Sequence, residues 1–344
     1  MTDQTHPITY FLGANSAQGF VSLYEQWIDQ GRAQAFYCIK GGAGCGKSTL
    51  MAGVAGNMEA RGYAVEYIRC SGDPDSLDAV FCPPHRFLIL DGTAPHIVDP
   101  RLPGAKDGIL NLGACLDEGQ LASQAAEIEA LNRDIANSFS QAYRYLAAAR
   151  ACRDDAAAVY EAAFPEDARR ELLAELRSLM PRDTLGPEEN RFAQAVTWKG
   201  VLQDVDSILT DQAVSLDLPW GFDPDGLLSP LRRKAAWEGL KRSAYHDPLD
   251  AGKLQHLAVG PTVFTTAVLM DVPVFRPRLD ESVLRREGQR LAFDRAGYEL
   301  LLNQAVEALA AAKQNHDRLE RYYVDAMDYT RLDEMKEAFF QTLP

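Results

Sequence analysis

The chain has 344 residues, of which 47% are hydrophobic and 24% charged, and its formal net charge is −14. A single core stops growing near ~250–300 residues, so this length predicts two domains. The acidic balance argues against nucleic acids and anionic membranes as partners, because each requires a basic face. No apolar run approaches ~20 residues and the N-terminus lacks a signal-peptide pattern, so we expect a cytoplasmic protein with reduced cysteines.

The first predicted unit is a strand at residues 35–39, a glycine-rich loop at 41–48 and a helix from residue 49 to 58. The loop sequence GGAGCGKS fits the pattern G-x-x-x-x-G-K-[ST]. Its glycines let several backbone N–H groups converge on phosphate, Lys47 contacts the β and γ phosphates, and Ser48 coordinates Mg²⁺. We predict a site for a nucleoside triphosphate, ATP with Mg²⁺, formed by Gly41, Gly42, Ala43, Gly44, Cys45, Gly46, Lys47, Ser48 and Thr49.

Two further strands are predicted at residues 63–68 and 87–91. The second is apolar up to its last residue, Asp91, as in a parallel sheet that is covered on both faces. Asp91 takes the position of a Walker B aspartate, so we expect it to hold Mg²⁺ together with Ser48 and to act in catalysis with Lys47. His96 lies in the next loop, where ligands gather in open α/β sheets. It is a candidate for orienting a substrate or a water, and a loop histidine with satisfied hydrogen bonds is the alternative.

Ordered matches between the two halves indicate an internal duplication. The matching segments are 11–20 with 192–201, 41–46 with 221–226, and 141–160 with 304–323. When the glycines are aligned, Leu227 and Leu228 replace the lysine and serine of the loop, and Val268 replaces the Walker B aspartate. We therefore expect no triphosphate to bind the second half in the same manner. Whether Arg232 or Arg233 reaches the first site stays open.

Long amphipathic helices follow each α/β portion. Apolar residues recur at three- and four-residue steps over residues 128–146 and 300–319, which predicts helical arms that pack as antiparallel hairpins, with packing of the two arms on each other as the alternative. The expected architecture is an α/β protein with two P-loop NTPase-like domains, each built on a parallel sheet and carrying an arm. The active domain spans 1–181 and the degenerate domain 190–344. A coiled coil through which the arms bind a protein partner is the alternative interpretation.

Five short motifs resemble those of a family of bacterial tandem P-loop ATPases whose role is uncharacterised. They are KGGAGCGKS at 40–48, CSGDPDSLD at 70–78, DGTAPHIVDPRLPGA at 91–105, NLG at 111–113 and YHDPLD at 245–250. The resemblance implies a P-loop NTPase fold and ATP binding through Lys47 and Ser48. Members of that family carry a working loop in both halves, and this chain departs from the pattern at Leu227 and Leu228.

The leading hypothesis is an ATP-binding P-loop NTPase that hydrolyses ATP slowly in its first half. Slow turnover is expected because Gly92 takes the place of the glutamate that activates water in many ATPases. One alternative is a small-molecule or nucleotide kinase, with an acceptor pocket built from Asp73, His96 or Arg101. The other is a nucleotide-gated switch or scaffold without enzymatic activity, whose arms hold a protein partner.

Overall fold

The computed structural model describes residues 7–344 and contains two six-stranded sheets, two antiparallel hairpins and eight α-helices within that range. The first-half elements are β1 (Ile8–Tyr10), β2 (Gly13–Ser16), β3 (Gly19–Ser22), α1 (Tyr24–Asp29), β4 (Ala35–Lys40), α2 (Lys47–Ala60), β5 (Glu66–Arg69), β6 (Leu77–Cys82), β7 (Phe87–Asp91), β8 (Gly108–Asn111), α3 (Glu118–Ser123), α4 (Ala125–Ala163) and α5 (Glu166–Ser178). The second-half elements are β9 (Glu188–Arg191), β10 (Gln194–Thr197), β11 (Gly200–Gln203), β12 (Ala213–Leu216), α6 (Asp225–Trp237), β13 (Arg242–His246), β14 (Leu254–Val259), β15 (Thr262–Thr265), β16 (Val274–Phe275), α7 (Glu281–Asp325) and α8 (Tyr329–Phe340).

The two large sheets repeat one topology. Their strand orders are β1-β5-β6-β7-β4-β8 and β9-β13-β14-β15-β12-β16. In each order the successive pairings are parallel, antiparallel, antiparallel, parallel and parallel. This correspondence, strand by strand, agrees with the repeat seen in the sequence.

Both sheets are mixed, so the expectation of purely parallel sheets is wrong. The difference comes from β6, a strand that the sequence reading left out. The loop at residues 70–76 links β5 to β6, and residues 83–86 link β6 to β7. Parallel neighbours need a crossover of a dozen or more residues, so these short connections make β6 antiparallel to both neighbours.

The alignment of the second loop differs from the one based on glycines. Helix α2 buries one face, formed by Leu50, Met51, Val54, Ala55 and Met58. Helix α6 buries residues with the same spacing, namely Leu227, Leu228, Leu231 and Ala235. Leu227 and Leu228 are therefore core residues of a helix and do not stand at the loop lysine and serine. Glycine spacing misaligned the halves by three residues, whereas the buried helical face fixes the register.

A shared hydrogen bond confirms this shifted register. The Ser48 hydroxyl accepts a hydrogen bond from the Leu77 amide at 2.9 Å. In the second half the Asp225 carboxylate accepts the equivalent bond from the Leu254 amide at 3.0 Å. Asp225 thus corresponds to Ser48, and the residue before it, Pro224, corresponds to the loop lysine.

The strand registers also correct the counterpart of Asp91. Ala79 pairs with Leu90 between β6 and β7, and His256 pairs with Thr265 between β14 and β15. Ala79 and His256 each lie two residues after the equivalent leucines Leu77 and Leu254, so Leu90 corresponds to Thr265. Thr266, rather than Val268, therefore stands at the position of Asp91. The second half lacks the carboxylate in either alignment.

The long helices α4 and α7, one from each half, lie antiparallel to each other, so the alternative in which the arms pack on each other is confirmed and neither half forms a hairpin of its own within the described residues. The amide of Asp117, just before α3, donates to the Ala326 carbonyl at the end of α7 at 2.8 Å. The Asp280 amide at the start of α7 donates to the Ala163 carbonyl at the end of α4 at 2.7 Å. At about 1.5 Å per residue these helices are roughly 60 Å long.

The short helices that follow are exchanged between the halves. Leu172 and Leu176 of α5 join the hydrophobic core of the second half, together with Leu231 of α6. Leu332 and Phe339 of α8 join the core of the first half, around α2. Each of the segments 1–181 and 190–344 therefore contributes to the core of the other, and the division of the chain into these two domains stays a prediction. Within residues 7–344 no helix is long and apolar enough to cross a membrane.

Candidate functional site

The loop between β4 and α2 has the backbone shape that its glycines predict. Gly44 and Gly46 have φ values of 68° and 80°, a left-handed conformation that side chains other than glycine rarely adopt. Gly46 caps α2, and no side chain caps the helix there. The first N–H groups of a helix are strong anion donors when no cap satisfies them. Cys45 is buried in the core beneath the loop, whereas Thr49 is exposed.

The structure brings Lys47 and Asp91 together at this loop. The Lys47 ammonium donates hydrogen bonds to the carbonyls of Gly41 at 3.2 Å and Gly42 at 2.8 Å, and it lies 3.6 Å from an oxygen of Asp91. The other Asp91 oxygen accepts bonds from the amide and hydroxyl of Thr93, at 2.9 and 2.6 Å. One carboxylate oxygen is thus fixed by the loop, and the second faces the lysine.

His96 lies in a buried ion pair and not in an open pocket. It is 5% exposed, and its Nε2 lies 2.8 Å from an oxygen of Asp78. The rings of Phe20 and Tyr24 pack edge-on against it, with centroids 4.8 and 5.2 Å away. Burial lowers the pKa of His96, but the Asp78 carboxylate outweighs burial and holds that pKa above its usual value. Its Nδ1 has no hydrogen-bond partner, so His96 is not a loop histidine with satisfied hydrogen bonds, and a catalytic role for it stays a prediction.

The charged candidates on the neighbouring loops already have partners. Asp73 pairs with Lys313 of α7 at 3.3 Å, and Arg101 pairs with Asp29. Arg232 forms an ion pair with Glu188 inside the second half, and Arg233 is exposed.

Two lysines near the loop were missed by sequence reasoning. Lys40, at the end of β4, donates to the carbonyls of Gly92 and Val98 and to Asp99. Its position beside the motif was a usable signal. No sequence signal pointed to Lys313, because it lies in α7, far from the loop along the chain.

The end of α7 packs directly on the loop. A Cβ added at Gly42 would lie 2.4 Å from the Tyr323 ring, and one at Gly44 would lie 3.0 Å from Val324. The same arrangement occurs in the other half, where a Cβ at Gly221 would lie 2.8 Å from Ala156 of α4. Each loop is therefore covered by the long helix of the other half.

A cavity of about 430 Å³ lies beside the counterpart loop of the second half. Lys253 lines it and pairs with Asp223 at 2.8 Å and with Asp154 at 3.3 Å. Arg153 lines it as well and pairs with Asp247 at 2.7 Å. Because these cations are neutralised by neighbouring carboxylates, the cavity offers no surplus positive charge to a triphosphate.

Comparison with protein families gives one match, to the family described as Nephrocystin 3, N-terminal, over residues 21–80. This segment runs from β3 to β6 and contains the loop and α2. It covers less than a fifth of the chain, so it establishes similarity of this segment alone. A comparison with curated proteins found no match, and neither did a comparison with solved structures.

Proposed function

We propose that the first half binds ATP with Mg²⁺ through residues 41–49 and hydrolyses it slowly. The observation that carries the proposal is the left-handed glycine loop at the start of α2, with Lys47 at 3.6 Å from Asp91. A lysine and a carboxylate in this arrangement are the groups that P-loop proteins use for phosphate and magnesium. A place among the tandem P-loop ATPases and a cytoplasmic location are parts of the same proposal.

Each residue has a definite role in this proposal. Lys47 exchanges its bonds to the Gly41 and Gly42 carbonyls for the β and γ phosphates. The Ser48 hydroxyl and the Asp91 carboxylate hold Mg²⁺, and the loop amides bind the phosphate oxygens. The Leu77 amide occupies one lone pair of the Ser48 oxygen and so orients the hydroxyl.

Slow turnover is supported by the surroundings of Gly92. A Cβ at this position would lie 3.0 Å from the Cys38 side chain and 3.0 Å from the Val98 carbonyl. No glutamate can be accommodated there without displacing backbone. Water activation would then depend on groups other than the residue after Asp91, and we expect low hydrolysis rates.

Calorimetric titration with Mg-ATP tests the proposal. Lys47→Ala removes a charged hydrogen bond worth about 1.5–3 kcal/mol, so we expect Mg-ATP affinity to fall by roughly 10–150-fold. Lys253→Ala is the matched control, because that lysine lies beside the counterpart loop. It should leave affinity unchanged. Equal affinity in wild type and Lys47→Ala, or no binding in wild type, would contradict the proposal.

A nucleotide-gated switch is the second candidate, favoured by the contact of α7 with the loop. Tyr323 and Val324 touch the glycines that a triphosphate would surround, so binding there is coupled to the end of the arm. The arm also exposes Phe293 and Leu300, at 75% and 65%, as a surface for a protein partner. Mg-ATP-dependent hydrogen-exchange protection of residues 316–327 without phosphate release would favour this candidate over an ATPase. The kinase has less support, because Asp73, His96 and Arg101 are engaged elsewhere.

A further inference from the structure

Three metal-binding side chains of different chemistry meet beside the proposed nucleotide site. Cys70 follows β5, Asp78 lies on β6, and His96 lies in the loop after β7. One ligand atom from each, the Cys70 sulfur, an Asp78 oxygen and a His96 nitrogen, lies within 4.8 Å of the other two. Segments that are separate in sequence thus deliver a sulfur, an oxygen and a nitrogen to one point.

The polar groups at this point are buried and incompletely paired. Asp78 and His96 are 4% and 5% exposed, and Cys70 is partly exposed. Among residues 7–344, the Nδ1 of His96, the Tyr24 hydroxyl and the Ser71 hydroxyl have no hydrogen-bond partner. Buried polar atoms are paired in the great majority of cases, so these unpaired atoms are consistent with an ion or a water bound at this point.

The contact between Asp78 and His96 does not explain why the sulfur of Cys70 also lies at this point. The sulfur of Cys70 accepts a hydrogen bond from the Asp73 amide at 3.3 Å, a contact that favours a thiolate. The same sulfur lies within 4.8 Å of a ligand atom of Asp78 and of one of His96, so the cluster consists of three side chains and not of the pair alone.

We propose that Cys70, Asp78 and His96 form a site for Zn²⁺. Sulfur with imidazole nitrogen selects zinc over Mg²⁺ or Ca²⁺, which prefer oxygen ligands. Ligand atoms in tetrahedral zinc sites are about 3.4 Å apart, given bonds of roughly 2.0–2.3 Å. Small shifts of the side chains reach that geometry, chiefly a widening of the 2.8 Å Asp78–His96 contact. Three protein ligands leave the fourth position for water or another ligand.

The site belongs to the first half only. The Leu77 and Leu254 amides make equivalent bonds, to Ser48 and Asp225, so the residues that follow them correspond. Asp78 is then matched by Gln255, whose neutral amide is a poor zinc ligand. We expect one Zn²⁺ per chain, and this expectation does not rest on the proposed nucleotide binding.

Cobalt substitution tests the site without nucleotide. The full chain, stripped of metal by chelator, is titrated with Co²⁺ and then with Zn²⁺. Wild type should show a near-ultraviolet thiolate-to-cobalt band that saturates at one equivalent and disappears as Zn²⁺ displaces Co²⁺. Cys70→Ser should abolish the band and weaken Zn²⁺ by more than ~100-fold, beyond the ~10–100-fold cost of changing a residue that only orients a ligand.

Two control variants separate this site from adventitious binding. Cys152→Ser removes a cysteine of α4 that faces Gly297 of α7 and belongs to neither group of candidate ligands. His316→Ala removes the histidine of a second group on α7, formed with Asp317 and Glu320, that could also hold an ion. Both controls should retain the band.

Three results would overturn the proposal: no band in wild type, a band that persists in Cys70→Ser, or a band lost in His316→Ala. Circular dichroism checks that each variant is folded. If Cys70→Ser does not fold, His96→Gln should weaken Zn²⁺ by a similar factor, and an unchanged Zn²⁺ affinity in His96→Gln would overturn the proposal.

Discussion

The exchange of α5 and α8 makes a strong prediction about Phe339. Phe339 lies near the end of the chain, far from Lys47 in sequence. Its ring centroid nevertheless lies 5.0 Å from that of the Tyr37 ring on β4, and Phe339 is 6% exposed. Replacing it by alanine should therefore destabilise the first half, although Phe339 belongs to the second sequence repeat. The matched variant is Leu176→Ala, at the corresponding position of α5, whose side chain is fully buried against α6.

The expected size follows from burial. A buried Phe→Ala change costs about 3–5 kcal/mol and a buried Leu→Ala change about 2–5 kcal/mol. Each loss is a large fraction of a typical stability of 5–15 kcal/mol. Because about 1.4 kcal/mol is a factor of ten, a loss of roughly 4 kcal/mol raises the opening equilibrium of the affected half about a thousandfold.

Hydrogen exchange followed by mass spectrometry resolves which half is affected. In Phe339→Ala, amides of α2 should exchange faster by roughly two to three orders of magnitude, with a smaller change in α6. In Leu176→Ala the order should reverse. Equal increases in both helices, or faster exchange of α6 in Phe339→Ala, would refute the assignment of α8 to the first core.

Three further predictions follow from buried charges and from the second loop. Arg191 is buried between Glu66 at 3.1 Å and Glu189 at 2.6 Å, so Arg191→Leu should cost about 3–5 kcal/mol in urea unfolding, and adding Glu189→Gln should recover part of it. Burial lowers the pKa of His256 to about 3, so below about pH 6.5 the unfolded chain takes up a proton that the folded chain refuses. The free energy of unfolding should then decrease by about 1.4 kcal/mol for each unit by which the pH is lowered from about 6.5 towards about 3. The same decrease should be missing in His256→Gln. Asp225→Ala should cost about 1–3 kcal/mol by leaving a strand amide unpaired, whereas Asp225→Ser, which restores the bond seen at the first loop, should cost less in the same unfolding experiment.

Local sequence patterns were sufficient for the first loop and its flanking elements. Strand β4, helix α2 and strand β7 all lie where the apolar runs and the glycine pattern predicted them. These features depend on residues that are neighbours in sequence, namely glycines that take left-handed conformations and an apolar strand that ends in Asp91. The meeting of Lys47 with Asp91 followed from the same strand–loop–helix order.

The register of the second half was mispredicted for a physical reason. A glycine match reports only backbone freedom, which many loops share. The buried face of a helix is constrained at every third or fourth position, so Leu227, Leu228 and Leu231 carried more information than Gly221 and Gly226. An alignment on these leucines would have set Pro224 and Asp225 at the second loop from the sequence alone.

The exchange of the short helices was beyond the reach of the sequence. An amphipathic stripe shows that one face of a helix is buried, but it does not identify the core that buries it. Because the two halves repeat one topology, both cores offer a similar groove beside α2 and α6 to an incoming helix. The choice depends on the direction of α4 and α7, and hence on contacts between residues far apart in the chain.

Because of this exchange, the second half supports the glycine loop of the first half. This support does not depend on whether the second half binds a ligand. Tyr323 touches the glycine loop, and Leu332 and Phe339 complete the core beneath it. A chain that lost the second half would lose these contacts, while a second half that lost only its lysine and carboxylate would retain them. Replacement of the loop lysine by Pro224 and of the carboxylate by Thr266 is therefore compatible with an intact first loop. The packing of α7 and α8 is a sufficient physical reason for the second half to persist.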